Sequence, residues 1–285
     1  MSAFDGLAPQ TRQKMREVLA DPIFELIPMS GVVDQAAHLP AGARVSVTAS
    51  PQKTLEDSLD LAAELADRGH RVIPHLSARM TRDMGHLESL LARMSEIGIR
   101  QAFVVGGDPD PVGEFSDGLS LLEAMERIGH DLEVGVPCYP EGHPRIPDAQ
   151  LDAALASKQR HAAWMTSQMC FDPGAVTGWL RRQRENGIVL PLVLGLPGAA
   201  ERTKLLRISA RIGVGQSLAF LRKNLGLVGA FVRPGGYDPA ELLVGLADDI
   251  ADPGLGFAGC HIYTFNQVDA TEEWRRRVLA SLEDG

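Results

Sequence analysis

The chain has 285 residues, of which 45% are hydrophobic and 23% charged, the composition of an ordinary globular protein with a sizeable core. Its 28 basic and 37 acidic residues give a formal net charge of −9, which argues against a nucleic-acid-binding protein, since such proteins need a basic face. No apolar run reaches the roughly 18 to 20 residues of a membrane span. Three cysteines without a CxxC pair, and no signal-peptide pattern, lead us to expect a reduced cytoplasmic protein without disulfides.

Short apolar runs rich in β-branched residues alternate with longer segments along the whole chain. Continuous apolar character in short runs is typical of strands buried on both faces of a parallel sheet. The eight runs are Pro22–Pro28, Val45–Thr48, Val72–Leu76, Gln101–Val105, Glu133–Tyr139, Ala163–Thr166 (continuing to Gln168), Ile188–Leu194 and Phe257–Tyr263.

The segments between these runs carry apolar residues at helical spacing, with charged residues on the other face. They are Thr54–Arg68, His86–Ile97, Ser120–Ile128, Asp148–His161 and Gly174–Asn186. Most end at a glycine, the residue that best adopts the left-handed conformation of a helix C-terminus. These glycines are Gly69, Gly98, Gly129 and Gly187.

Eight strands that are each followed by helical sequence predict a single (β/α)8 barrel over residues 1–285. An extra helix, Pro9–Leu19, is expected across the barrel bottom, and another, Gly215–Ala230, between the seventh and eighth strands. A doubly wound open sheet is the alternative. It usually carries a glycine-rich first turn, and neither GxGxxG nor GxxxxGK[ST] is present.

Chemistry in such a barrel gathers at the C-terminal ends of the strands. Glu25 is the most informative residue there, because burying a carboxylate in an apolar strand costs several kcal/mol unless it is paired or neutral. Glu25 is therefore either a structural ion-pair partner or a general acid kept protonated by its surroundings. The other polar strand-end residues are Thr48, His75, Asp108, the segment Tyr139–Pro144, Gln168, His261, Tyr263, Thr264 and Asn266.

Several of these residues also fit structural roles. His75 suits a hydrogen-bonded core position as well as a functional one, and Gly106-Gly107-Asp108 suits an ordinary turn as well as a ligand loop. A metal site built from His75, His143, His261 and the three cysteines lacks local ligand spacing, so we expect no metal. The arginine-rich stretch 181–184 is interpreted as a solvated helix face.

Taken in chain order, these strand ends resemble those of the methylenetetrahydrofolate reductases, from Phe24 to about Asn266. The resemblance depends on the order of the motifs, with one on almost every strand. The matching motifs are Phe24-Glu25 with Pro28, Val45–Thr48, Pro74–Leu76, Gly107-Asp108, Tyr139–Pro144, Gln168 with Phe171-Asp172, Gly195–Pro197, and His261–Thr264 with Asn266.

The resemblance implies a barrel enzyme that reduces 5,10-methylenetetrahydrofolate to 5-methyltetrahydrofolate with NADH or NADPH. Glu25 would be the general acid that helps open the imidazolidine ring to the 5-iminium cation. Asp108 would contact the pterin and favour that cation, and Gln168 would bond the pterin or the nicotinamide. A homo-oligomer and a folate substrate with a polyglutamate tail are also implied. Candidate contacts of that tail are Arg79, Arg202 and Lys204.

The family normally holds FAD, and the residues that match its flavin contacts are Thr48, His75, Tyr139, His143, Asp152 and Lys158. The chain departs from the family pattern at five other positions. Ala49 replaces a tyrosine, Gly106 an arginine, Leu155 an asparagine and Gln267 an arginine, and of a basic pair only Lys158 remains, with Gln159 beside it. Each charge-assisted hydrogen bond is worth roughly 1.5 to 3 kcal/mol, so the loss of two or more predicts weak flavin binding.

The chain therefore resembles the flavin-independent members of the family, in which NADH, or NADPH, passes hydride directly to the folate iminium. The same reaction through a bound FAD is the alternative. A non-catalytic folate-binding barrel is a second alternative, although binding alone does not require a buried acid at Glu25.

Overall fold

The computed structural model describes residues 3–198 and 238–283. Eight parallel strands follow one another around a closed barrel, and the last pairs with the first. The strands are β1 Ile23–Leu26, β2 Arg44–Val47, β3 Arg71–Ser77, β4 Gln101–Val105, β5 Glu133–Cys138, β6 Trp164–Ser167, β7 Leu192–Pro197 and β8 Phe257–Tyr263. This confirms the predicted (β/α)8 barrel.

Helices connect the strands on the outside of the barrel. In the described residues they are α1 Pro9–Ala20, α2 Val32–Ala36, α3 Leu55–Asp67, α4 Met84–Ile97, α5 Gly118–Ile128, α6 Asp148–Lys158, α7 Pro173–Glu185, α8 Ala240–Gly245, α9 Ala247–Ala251 and α10 Val268–Glu283. The predicted extra N-terminal helix is confirmed as α1. The predicted helix Gly215–Ala230 lies outside the described residues. No helix in the described part of the chain is long and apolar enough to cross a membrane.

Local sequence explains where these helices begin and end. Thr54 accepts a hydrogen bond from the backbone N–H of Asp57, whose carboxylate accepts one from the N–H of Thr54, a capping box that starts α3. Asp172 caps α7 by accepting from the backbone N–H groups of Gly174 and Ala175, and Pro173 takes the first helical position. Gly98 ends α4 with φ +82°, as predicted.

Two apolar cores lie on the two sides of the strands. Val45 and Val47 belong to the large core between the strands and the helices. A small cluster of Ile23, Ile73, Phe103, Trp164 and Val193, the barrel plug, fills the interior. On β1, β3 and β6 the plug residue comes before the polar residues of the strand. The plug therefore forms an apolar layer, the apolar floor, beneath the polar side chains at the strand ends.

Several strand boundaries differ from the prediction, and at two of them a side chain explains the difference. The first strand was expected to reach Pro28, but the Asn266 side chain takes both backbone groups of Ile27, at 2.8 and 2.9 Å, so β1 ends at Leu26. The seventh was expected to begin at Ile188. The Arg184 guanidinium instead binds the carbonyls of Ile188 and Leu190, at 2.7 and 2.9 Å, and β7 begins at Leu192.

Candidate active site

Glu25 and His261 meet where the barrel closes between β8 and β1. Glu25 Oε2 lies 3.2 Å from His261 Nε2, and the two side chains are 13% and 4% exposed. The Thr264 hydroxyl donates to the Glu25 carbonyl oxygen at 2.5 Å, which fixes the backbone that carries the carboxyl group. A buried carboxyl–imidazole pair therefore stands at this strand end.

His75 lies close to this pair but is held by a different partner. Its Nε2 is 2.6 Å from the Ser46 hydroxyl, and its ring is 4.9 Å from that of Phe103. Burial lowers the pKa of His75 to about 4, with Glu25 acting in the opposite direction. The imidazole is therefore neutral at neutral pH.

Two tyrosines line the same mouth as neutral phenols. The Tyr263 hydroxyl donates to the Ser167 carbonyl at 2.9 Å, and burial raises the pKa of Tyr263 well above its usual value. Burial also raises the pKa of Tyr139 to about 12. The Tyr139 ring meets that of His143 edge-on at 5.3 Å, so these two predicted cofactor residues do lie together.

Gln168 follows β6, and its orientation is fixed by the loop after β5. Its Nε2 donates to the Gly142 carbonyl at 3.0 Å, so one of its two amide N–H groups is already bonded. Glu141 ties the same loops together by accepting from the backbone N–H groups of Phe171 and Asp172 at 2.6 and 2.7 Å. Burial raises the pKa of Glu141, and its buried Oε2 has no hydrogen-bond partner within the described residues.

Asp108 follows β4 on an open surface. Its side chain is 66% exposed and lies 3.4 Å from the Arg145 guanidinium. The backbone N–H groups of Arg145 and Ile146 both donate to His143 Nδ1 at 3.2 Å, and this turn brings Arg145 to Asp108. Sequence reasoning missed Arg145, since no spacing rule relates it to a residue 37 positions earlier.

The remaining predicted cofactor residues lie directly after β2 and on α6. Thr48 is half-buried just after β2. Asp152 and Lys158 are both on α6, where Asp152 accepts a hydrogen bond from Gln183 of α7 at 2.6 Å. Lys158 is half-buried, and its burial lowers its pKa. The structure therefore groups Glu25 with His75 but places Asp152 and Lys158 on a helix.

The three cysteines are buried thiols. Cys138 and Cys260 belong to the core between the strands and the helices, and burial raises the pKa of Cys260 to about 12. The described residues contain no group of three or more His, Cys, Asp and Glu side chains placed to hold a metal ion.

A closed (β/α)8 barrel with a buried acid and converging polar strand ends places the chain in the class of barrel enzymes. The sequence profile of the methylenetetrahydrofolate reductase family matches residues 32–277, and the chain belongs to this family. The matched range begins after β1, so the assignment of Glu25 rests on the strand-end motifs and the geometry.

A curated relative agrees with this family. Methylenetetrahydrofolate reductase 2 of Saccharomyces cerevisiae is 24% identical over 195 residues, which are 63% of this chain and 32% of the yeast protein. The chain thus spans about a third of the length of that relative.

Solved structures with the same fold carry other names. The Bacillus cereus spore cortex-lytic enzyme SleL matches with a TM-score of 0.52 at 11% identity, over 98% of this chain and 84% of that one. A 2,3-dimethylmalate lyase of the PEP mutase/isocitrate lyase superfamily matches with a TM-score of 0.50 at 12% identity, over 97% and 88%. These likenesses concern the barrel fold alone.

Proposed function

We propose that this protein reduces 5,10-methylenetetrahydrofolate to 5-methyltetrahydrofolate, with NADH favoured over NADPH as the direct hydride donor and no bound flavin. Family membership supports the reaction. The observation that carries the proposal is the position of Glu25, a 13% exposed carboxyl group on an apolar floor, at the mouth where barrel enzymes act.

Glu25 supplies the proton that opens the substrate ring. Its carboxyl proton passes to N10 as the bond between N10 and the bridging methylene carbon breaks, and the electron pair of that bond stays on N10. The methylene carbon is then doubly bonded to N5 as an iminium cation. Hydride from the nicotinamide adds to this carbon, giving the 5-methyl group and the oxidised nicotinamide. Proton donation by a positioned side chain contributes about 10²- to 10⁴-fold.

Gln168 and Asp108 hold the pterin beside that carboxyl group. Because the Gln168 Nε2 already donates to Gly142, the amide turns its Oε1 and one remaining N–H towards a ring edge. Asp108 provides negative charge for the iminium cation. Its exposed carboxylate becomes a stronger electrostatic partner when bound substrate excludes water from it.

The proposal of direct hydride transfer rests on how the flavin-matching residues are engaged. His75 is bonded to Ser46, and Asp152 to Gln183. Lys158 is half-buried on α6, close enough to Asp117 for the carboxylate to affect its pKa. Two of the flavin-matching side chains, His75 and Asp152, are therefore already hydrogen-bonded within the protein and fit the phosphates and ribose of a flavin nucleotide poorly, since these groups require free donors and acceptors. We therefore derive no step through a flavin.

The experiment is an absorbance spectrum of the purified protein, followed by NADH oxidation with methylenetetrahydrofolate and no added flavin. We expect a colourless protein that forms 5-methyltetrahydrofolate, identified by mass spectrometry. A yellow protein, or turnover only after FAD is added, would overturn the direct transfer and leave the reaction standing. Tight folate binding without any product would favour the non-catalytic barrel.

A further inference from the structure

His261 contacts Glu25, and the proposed reaction gives this contact no role. His261 is 3% exposed, and its Nε2 lies 3.2 Å from Glu25 Oε2. The contact engages one carboxyl oxygen and leaves Oε1 as the oxygen not held by His261. Since Oε2 contacts His261, Oε1 is the oxygen from which Glu25 would bond a ligand.

We propose that His261 is a positioning residue that donates a hydrogen bond from Nε2 to Glu25 and so stabilises the carboxylate that remains after Glu25 gives up its proton. The inference rests on the proposed function. In the step above, the proton leaves Glu25 for N10 and the carboxylate keeps the electron pair. An N–H at hydrogen-bond distance lowers the energy of that anion, and charge-assisted bonds are about twice as strong as neutral ones.

The neighbouring groups favour His261 over His75 for this role. His75 Nε2 is bound to Ser46, and burial keeps that ring neutral. The titratable groups around His261 are Glu25 on β1, His75 on β3 and Tyr263 on its own strand, with Tyr139, directly after β5, acting on Tyr263. The residue of β7 that pairs with His261 is Gly195, which carries no charge.

The segment that follows β8 fixes the position of Glu25 relative to His261. Thr264 bonds the carbonyl of Glu25, and the Asn266 amide brackets both backbone groups of Ile27. Phe265 and Asn266 adopt φ of 51° and 54°, a left-handed conformation that non-glycine residues adopt rarely. These residues, the β8–β1 strap, fix the distance between the imidazole and the carboxyl group.

The first test compares His261→Phe and His261→Gln in pH profiles of kcat and kcat/KM with methylenetetrahydrofolate. His261→Phe should lower kcat by about 10-fold or more with the folate KM nearly unchanged. Its loss of activity on the alkaline side should move to higher pH, because the carboxylate of Glu25 loses the N–H that stabilises it. His261→Gln keeps an N–H donor and should recover most of kcat.

A matched control is available at another imidazole–carboxylate contact. His161 Nδ1 lies 2.6 Å from Glu126 Oε1 on the outside of the barrel. His161→Gln should leave kcat and the pH profile as in the wild type. If His261→Phe, folded by circular dichroism, keeps the wild-type kcat and pH profile, His261 does not act on Glu25 and the proposal fails.

A second measurement is independent of turnover. Imidazole ¹⁵N spectra of the wild type and of Glu25→Gln are recorded at one pH, with His261→Gln to assign the resonance. The His261 Nε2 resonance should shift in Glu25→Gln, because an amide is a weaker hydrogen-bond acceptor than a carboxyl group. An unchanged resonance would refute the contact. A shifted resonance in a protein that makes no 5-methyltetrahydrofolate would keep the contact and refute the proposed function instead.

Discussion

The two charged edges of the barrel mouth differ in burial and in what holds them. Between β8 and β1, Glu25 is 13% exposed, paired with a buried imidazole and fixed by the β8–β1 strap. After β4, Asp108 is 66% exposed and its partner Arg145 is 62% exposed. A surface pair of this kind is worth about 0 to 1 kcal/mol, whereas a buried group loses several when its partner is removed. The rigid, buried edge with Glu25 suits proton transfer, and the exposed edge with Asp108 suits electrostatic binding of the substrate.

The largest expected effect is on the buried edge. Glu25→Gln removes the transferable proton while keeping the shape of the side chain, so kcat should fall by about 10²- to 10⁴-fold. Folate affinity, measured by calorimetry, should stay close to that of the wild type. Glu88→Gln on the exposed face of α4 serves as the control. An undiminished kcat in Glu25→Gln would remove Glu25 from the mechanism.

The strap should contribute both stability and rate. Asn266→Gly tolerates the positive φ but loses both hydrogen bonds to Ile27, so the free energy of unfolding should fall by about 1 to 3 kcal/mol and kcat should fall with it. Asn266→Ala adds backbone strain and should be less stable still. Urea unfolding measures both variants. A glycine variant as stable as the wild type would show that the strap hydrogen bonds contribute nothing.

The buried His75 should make stability depend on pH. Its folded pKa of about 4 lies below the usual 6.5, so the unfolded chain binds the proton more readily between these values. Stability is then complete above about pH 6.5 and is lost as the pH falls towards 4, by about 2 kcal/mol between pH 7 and pH 5. Urea unfolding of the wild type and His75→Gln at both pH values isolates the effect. Equal losses in the two proteins would contradict it.

The smallest effect is expected on the exposed edge. Arg145→Gln removes a surface ion pair, so the folate KM should change by no more than about five-fold and kcat hardly at all. Added salt should reduce even this difference, because screening weakens exposed charges. Arg277→Gln, which breaks another exposed pair, is the control. A large fall in kcat in Arg145→Gln would give this edge a part in the chemistry.

The barrel could be predicted from the sequence because its strands and helices follow from local sequence patterns. Apolar runs, helical spacing and C-terminal glycines such as Gly98 each depend on neighbouring residues only. The predicted end of β1 was wrong because Asn266, 239 positions away, binds the backbone of Ile27. The predicted start of β7 was wrong because Arg184, at the end of the preceding helix, binds backbone carbonyls that the apolar pattern assigned to the strand.

The same distinction applies to the site. The strand-end rule identified Glu25, His75 and Gln168 because each lies within or directly after an apolar run. It did not reveal that Glu25 touches His261, which is 236 positions away and adjacent only once the barrel closes. Asp152 looked available to a cofactor from the sequence, and only the packing of α6 against α7 pairs it with Gln183.

Direct hydride transfer is tested most directly by an isotope. The protein is given NADH deuterated at the transferred position, with methylenetetrahydrofolate in ordinary water, and the product is examined by mass spectrometry. We predict that each 5-methyl group retains one deuterium, because the hydride passes in a single step from the nicotinamide carbon to the methylene carbon. Loss of the label to water would contradict it, since hydrogen carried on a flavin nitrogen exchanges with solvent.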